Sequence, residues 1–139
     1  MKNPVATGTV ESVPRDCLAA EGFVLSPPRA NGQTGVDILA KKGGESWHVE
    51  VIGYKKAGPS RAKDFYEAFF RATSRLNDGA KHCVIALASE ARVGLPARAR
   101  QHAEAWKRLG RAFPELEIWL VDVSDRKYSR HNWLEWLGP

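Results

Sequence analysis

Two adjacent glycines constrain this chain more than any other feature. Lys42-Gly43-Gly44-Glu45 separates two stretches of alternating character, Val36 to Lys41 and Ser46 to Tyr54. Gly-Gly is a favoured two-residue hairpin loop because both central positions tolerate positive φ. An antiparallel hairpin is therefore predicted, and its register follows. With Gly43 and Gly44 in the loop, Lys42 faces Glu45 and, further out, Asp37 faces Glu50. One side then carries Val36, Ile38, Ala40, Trp47, Val49 and Val51, a core face. The other carries Asp37, Leu39, His48, Glu50, Ile52 and Tyr54.

The remaining elements follow from periodicity and punctuation. Val13, Cys17 and Ala20 predict a helix over Ser12–Glu21, stopped by Gly22; Ser12 is the expected N-cap because proline, here Pro14, belongs in a first turn. Phe23–Leu25 reads as a short strand ended by Pro27-Pro28, and Arg29–Thr34 as a loop. Gly58-Pro59-Ser60 opens a second helix with an apolar stripe at Ala62, Phe65, Phe69, Ala72 and Leu76, closed by Asn77-Asp78-Gly79. His82–Ala88 and Leu116–Val121 are apolar runs of strand length, separated by a helix over Pro96–Ala112. The order helix-strand-strand-strand-helix-strand-helix-strand predicts an α/β fold, a mixed sheet with helices on both faces and its last two strands parallel. Residues 1–139 are expected to form a single domain, with 1–10 as a flexible N-terminus and 124–139 as a docking tail.

Composition narrows the class. The chain has 139 residues, 43% hydrophobic and 27% charged, with two cysteines. That length fits one core without staples, and two thiols cannot build a disulfide framework. No apolar run approaches membrane-span length, and Met1–Val10 lacks a signal-peptide pattern. A cytoplasmic protein with no membrane partner is the expectation.

The opposed carboxylates carry the chemistry. Directly cross-strand residues have Cβ atoms about 4.5–5.5 Å apart, where like charges repel. A carboxylate pair in a partly apolar setting needs a proton, a basic partner or a cation. Hard cations such as Mg²⁺ take such oxygen ligands.

Gly35-Val36-Asp37-Ile38 followed by Trp47-His48-Val49-Glu50-Val51-Ile52-Gly53-Tyr54-Lys55 resembles the PD-(D/E)xK nuclease superfamily, whose members share a restriction-endonuclease-like fold. The element order extends the resemblance from about Ser12 to Asp122. It implies that Asp37 and Glu50 hold Mg²⁺ or Mn²⁺, with Glu11 as a third ligand from the first helix. The motif lysine, which orients and polarises the attacking water, falls at Ile52. Lys56, which shares the strand parity of Glu50, is the candidate replacement. The motif proline is replaced by Val36.

Charge adds a partner. There are 21 Lys and Arg against 16 Asp and Glu, net +5. Gly53–His82 alone carries seven cations against three acids, and Ala91–Arg111 six against one. Lys55, Lys56, Lys63, Arg71 and Arg75 are candidate phosphate contacts. The leading expectation is a metal-dependent nuclease acting on DNA rather than RNA. The alternatives are a DNA-binding protein that has lost the chemistry and an assembly subunit self-associating through Trp133 and Trp136.

Overall fold

A computed structural model describes residues 3–29 and 36–139. The architecture is α/β. Among the described residues six strands lie in sequence order: β1 (Val24–Leu25), β2 (Ile38–Lys42), β3 (Glu45–Ile52), β4 (His82–Ala88), β5 (Leu116–Asp122) and β6 (Lys127–Asn132). Neighbours β1–β2, β2–β3 and β5–β6 are antiparallel, while β3–β4 and β4–β5 are parallel. The β2–β3 register is the one the Gly-Gly loop dictates, with Lys42 opposite Glu45 and Ile38 opposite Val49. Of the two loop glycines only Gly43 takes positive φ, at 60°, the pattern of a type II′ turn.

Alternation along the strands splits the core into two layers. Ile38, Ala40, Trp47, Val49 and Val51 pack with Val84, Ala86, Trp119 and Val121 against helix α1 (Thr7–Ala20). Cys83, Ile85, Leu87, Ile118 and Leu120 face the opposite layer. That layer contains α2 (Gly58–Ser74), α3 (Leu95–Gln101), α4 (Ala103–Ala112) and a terminal 3₁₀ turn, Trp133–Leu137. Among the described residues no helix is long and apolar enough to cross a membrane.

Four expectations need correction. Helix α1 begins at Thr7, not Ser12, and holds Pro14 in its interior. The early start buries Val10 completely, and it is anchored at β3. Val5 and Tyr54 exchange backbone hydrogen bonds of 2.8 Å, and Gly53 donates its N–H to Thr7 Oγ1 at 3.2 Å. These contacts offset the hydrogen bond a mid-helix proline cannot donate. Residues 5–10 therefore belong to the packed structure, not to a flexible N-terminus, while Met1 and Lys2 lie outside the described residues.

The helix expected over Pro96–Ala112 is two helices broken at His102, whose backbone leaves helical dihedrals (φ −120°, ψ 36°). The tail supplies a sixth strand as well as its terminal turn. β6 was illegible because every one of its residues is partly or fully exposed. It is held by Arg130, which donates Nε and Nη2 to the two oxygens of Glu117 at 3.0 Å each, and by Tyr128 stacked on Trp119.

Finally, Trp133 and Trp136 are 2% and 8% exposed, so they form no self-association surface. Trp133 stacks on Trp106 with centroids 3.9 Å apart. Each indole N–H donates to the other residue's carbonyl, at 2.8 and 2.9 Å.

The close approach at Gly53 gives a test. A Cβ there would lie 2.4 Å from Val5 O and 2.8 Å from Thr7 N. Gly53→Ala is expected to cost roughly 1–3 kcal/mol in urea denaturation, as overpacking against backbone does. Gly44→Ala meets nothing within 4 Å and should change the midpoint little.

Candidate functional site

The hairpin delivers the predicted pair. Asp37 stands immediately before β2, one residue out from the Ile38–Val49 pairing, and so faces Glu50. Its Oδ2 accepts the Val51 backbone N–H at 2.8 Å, which turns the carboxylate across the ribbon. Arg29 donates its guanidinium to Oδ1. The Asp37 carbonyl accepts from Arg15 Nη2 at 2.8 Å.

Glu50 is 2% exposed, in the middle of β3 and on the side facing α2. Burial pushes its carboxyl up to about 7, helped by the charge of Asp37 and a hydrogen bond between the two side chains; Arg29 and Arg75 pull the other way. A carboxylic acid that gives up its proton only near neutrality, facing an aspartate across two strands, is an electrostatically loaded pair.

Glu11 does not join them. Its Oε2 accepts from Arg15 Nε at 2.6 Å, and Arg15 donates Nη1 and Nη2 to the Ser26 and Asp37 carbonyls. Glu11 thus reaches the pair only through an arginine. Among the described residues no group of three or more His, Cys, Asp or Glu side chains is placed to hold a metal ion. Lys56 is exposed in the bend between β3 and α2, beyond the Val5–Tyr54 bridge. Ile52 is half-buried and packs into the α2-side core.

The candidate phosphate-contact cations in and flanking α2 are largely paired. Lys55 pairs with Asp64 at 3.1 Å, while Lys63 and Arg71 both reach Glu67, at 3.9 and 3.5 Å. Arg75 pairs with Asp78 at 3.0 Å. Its charge still acts on Glu50 and on His48, whose imidazole burial holds below its ordinary pKa.

The residues that sequence reasoning missed are Arg15 and Arg29. Arg15 follows Glu11 at helical spacing, the one local signal available; nothing local marks Arg29, which lies just after Pro27-Pro28. Beyond Ile52, at the carboxyl ends of β3 and β4, a cavity of about 310 Å³ opens between α2 and α3.

Comparison with family models, curated proteins and solved structures finds no match for this chain.

The pair has a pH signature. The folded pKa of Glu50, about 7, lies above its reference value of 4.5. The folded state therefore holds a proton the unfolded chain releases. The associated stability is complete below about pH 4.5 and is lost as pH rises through 7, a decline on the order of 3 kcal/mol. Urea titrations at pH 5 and pH 8 should show this decline in the wild type and a flatter profile in Glu50→Gln.

Proposed function

We propose that this chain is a metal-dependent nuclease of the PD-(D/E)xK kind, with a restriction-endonuclease-like fold, acting on DNA. The observation that carries the reading is the buried Glu50 carboxyl placed against Asp37 by the β2–β3 register. The sheet supports it, since an antiparallel hairpin bearing the pair is followed by two parallel strands reached through helices.

The donor set fits a divalent cation. Asp37 and Glu50 supply hard oxygens, and a cation between them would take over the role that a proton and Arg29 play in balancing the pair. When bound, Mg²⁺ or Mn²⁺ would stabilise the charge on the phosphate under attack and help ionise water. The chain's own residues do the rest. The Val51 N–H fixes the direction of the Asp37 carboxylate. Burial of Glu50 under the layer over β3 makes a counter-charge necessary once its proton leaves, and the Arg29 guanidinium beside Asp37 supplies part of it.

A second reading rests on Ile52. The position where the family carries its lysine is apolar and packed among hydrophobic side chains, which favours a protein that binds DNA without cutting it. In that reading the basic surface retains salt-dependent affinity.

Plasmid incubated with Mn²⁺ decides between them. Cleavage that falls at least 100-fold in Asp37→Ala and Glu50→Gln is the expected result. Cleavage unchanged in Asp37→Ala defeats the nuclease reading. A wild type that only binds, with cleavage gained in Ile52→Lys, establishes the second. At pH 8, Mn²⁺ should also raise the Tm of the wild type and leave that of Asp37→Ala unchanged.

A further inference from the structure

The cavity beside the acid pair is chemically specific in its own right. Its floor is apolar, formed by Ile52, Leu87 and Leu95. Ile52 lies two residues beyond Glu50 on the same side of β3, about 7 Å along the strand. Two half-buried guanidiniums, Arg61 and Arg98, stand in its walls.

Both are held in place without being neutralised. Arg61 donates Nη1 to the Lys55 and Lys56 carbonyls at 2.8 and 2.7 Å, and its guanidinium lies 4.8 Å from the Tyr54 ring centroid. Arg98 rests over Phe65 and Tyr66, at 5.3 and 5.5 Å from their centroids, and donates to Tyr66 Oη at 3.3 Å. Neither is paired with a carboxylate among the described residues, unlike Lys55, Lys63, Arg71 and Arg75. Glu90 lines the same cavity and acts against an anion on its side.

From this arrangement we infer that the cavity binds a nucleoside monophosphate unit, either as a free nucleotide or as the phosphorylated end of a strand. Two fixed guanidiniums against the single carboxylate of Glu90 leave the lining with net positive charge. A phosphomonoester carries about −1.5 to −2 at pH 7, and guanidinium forks match its oxygens. The apolar floor takes the flat ring. About 310 Å³ is at the small end of ligand pockets, roughly 300–1,000 Å³, and holds one nucleotide rather than a duplex segment. The carboxyl ends of parallel strands are a frequent place for such sites. This assignment extends the nuclease reading by naming what sits next to Glu50, yet it stands without cleavage.

The test is direct binding in EDTA, using Asp37→Ala protein so that no turnover intervenes. The probes are dAMP, deoxyadenosine, and one short oligonucleotide with a 5′-phosphate, a 3′-phosphate or neither. Terminal phosphate should strengthen binding at least tenfold. If dAMP shows this gain, the source is a free nucleotide; if only an oligonucleotide does, it is a strand end. Adding Arg98→Gln should abolish the gain, and so should Val93→Trp, which fills the cavity from an exposed rim position (73% exposed). Phosphate-independent binding, or a gain unchanged in both variants with their melting curves intact, overturns the inference. A cleavage failure with this binding preserved would remove the metal reading alone.

Discussion

A carboxyl group buried inside a sheet has to be compensated, and much of the hairpin half of this molecule is arranged around that requirement. Glu50 is 2% exposed, and the strand opposite brings a second carboxylate toward it. Burying either alone as an anion would be prohibitive. The fold answers with a proton retained to about pH 7, the Val51 N–H directed at Asp37, and Arg29 on its outer oxygen. Arg15 holds the surrounding backbone, bonding the Ser26 and Asp37 carbonyls while its third contact ties Glu11. The segment after β1 is thereby fastened along β2, where Ser26 and Leu39 also exchange hydrogen bonds.

How much of this was legible depends on whether the information was local. The β2–β3 register was, because a Gly-Gly loop with alternating flanks admits one pairing that keeps Trp47, Val49 and Val51 on a core face. The two-sided burial of β4 and β5 was also local, written as continuous apolar runs. The start of α1 was not. Pro14 speaks for a later start, and what overrides it is a bridge between Val5 and Tyr54, nearly fifty residues apart. β6 has too little apolar alternation to read; its cross-strand Arg130–Glu117 pair is invisible until the sheet exists. Likewise the identity of the carboxylate pair was readable, whereas its arginine partners were not.

The tail shows the same lesson in packing. Trp133 and Trp136 suggested an exposed adhesive surface, but the chain supplies its own receptor. Trp106 and Trp133 each satisfy the other's indole N–H through a backbone carbonyl, removing the cost of burying those donors. A Cβ at Gly110 would lie 2.5 Å from the Leu134 side chain, so the missing side chain on α4 is part of the seat. The break at His102 contributes too: α4 buries Trp106 and Gly110 while Ala103 faces solvent, a pattern one uninterrupted helix from Pro96 would not give.

Position 52 joins the two halves of the functional argument. A lysine there would place a cation between the acid pair and the cavity. Isoleucine instead makes an apolar partition, with Leu87 beside it on β4. Arg61 and Arg98 stand farther out, and among the described residues neither pairs with a carboxylate, whereas Lys63 and Arg71 both pair with Glu67 within α2. Charge placed there is too far from Glu50 to polarise water at it, but suits an anion in the cavity. Binding and bond cleavage are therefore separable demands on this surface. In the proposed reading the cavity's guanidiniums would serve the first, and whether the second is met depends on what balances Glu50 once its proton leaves.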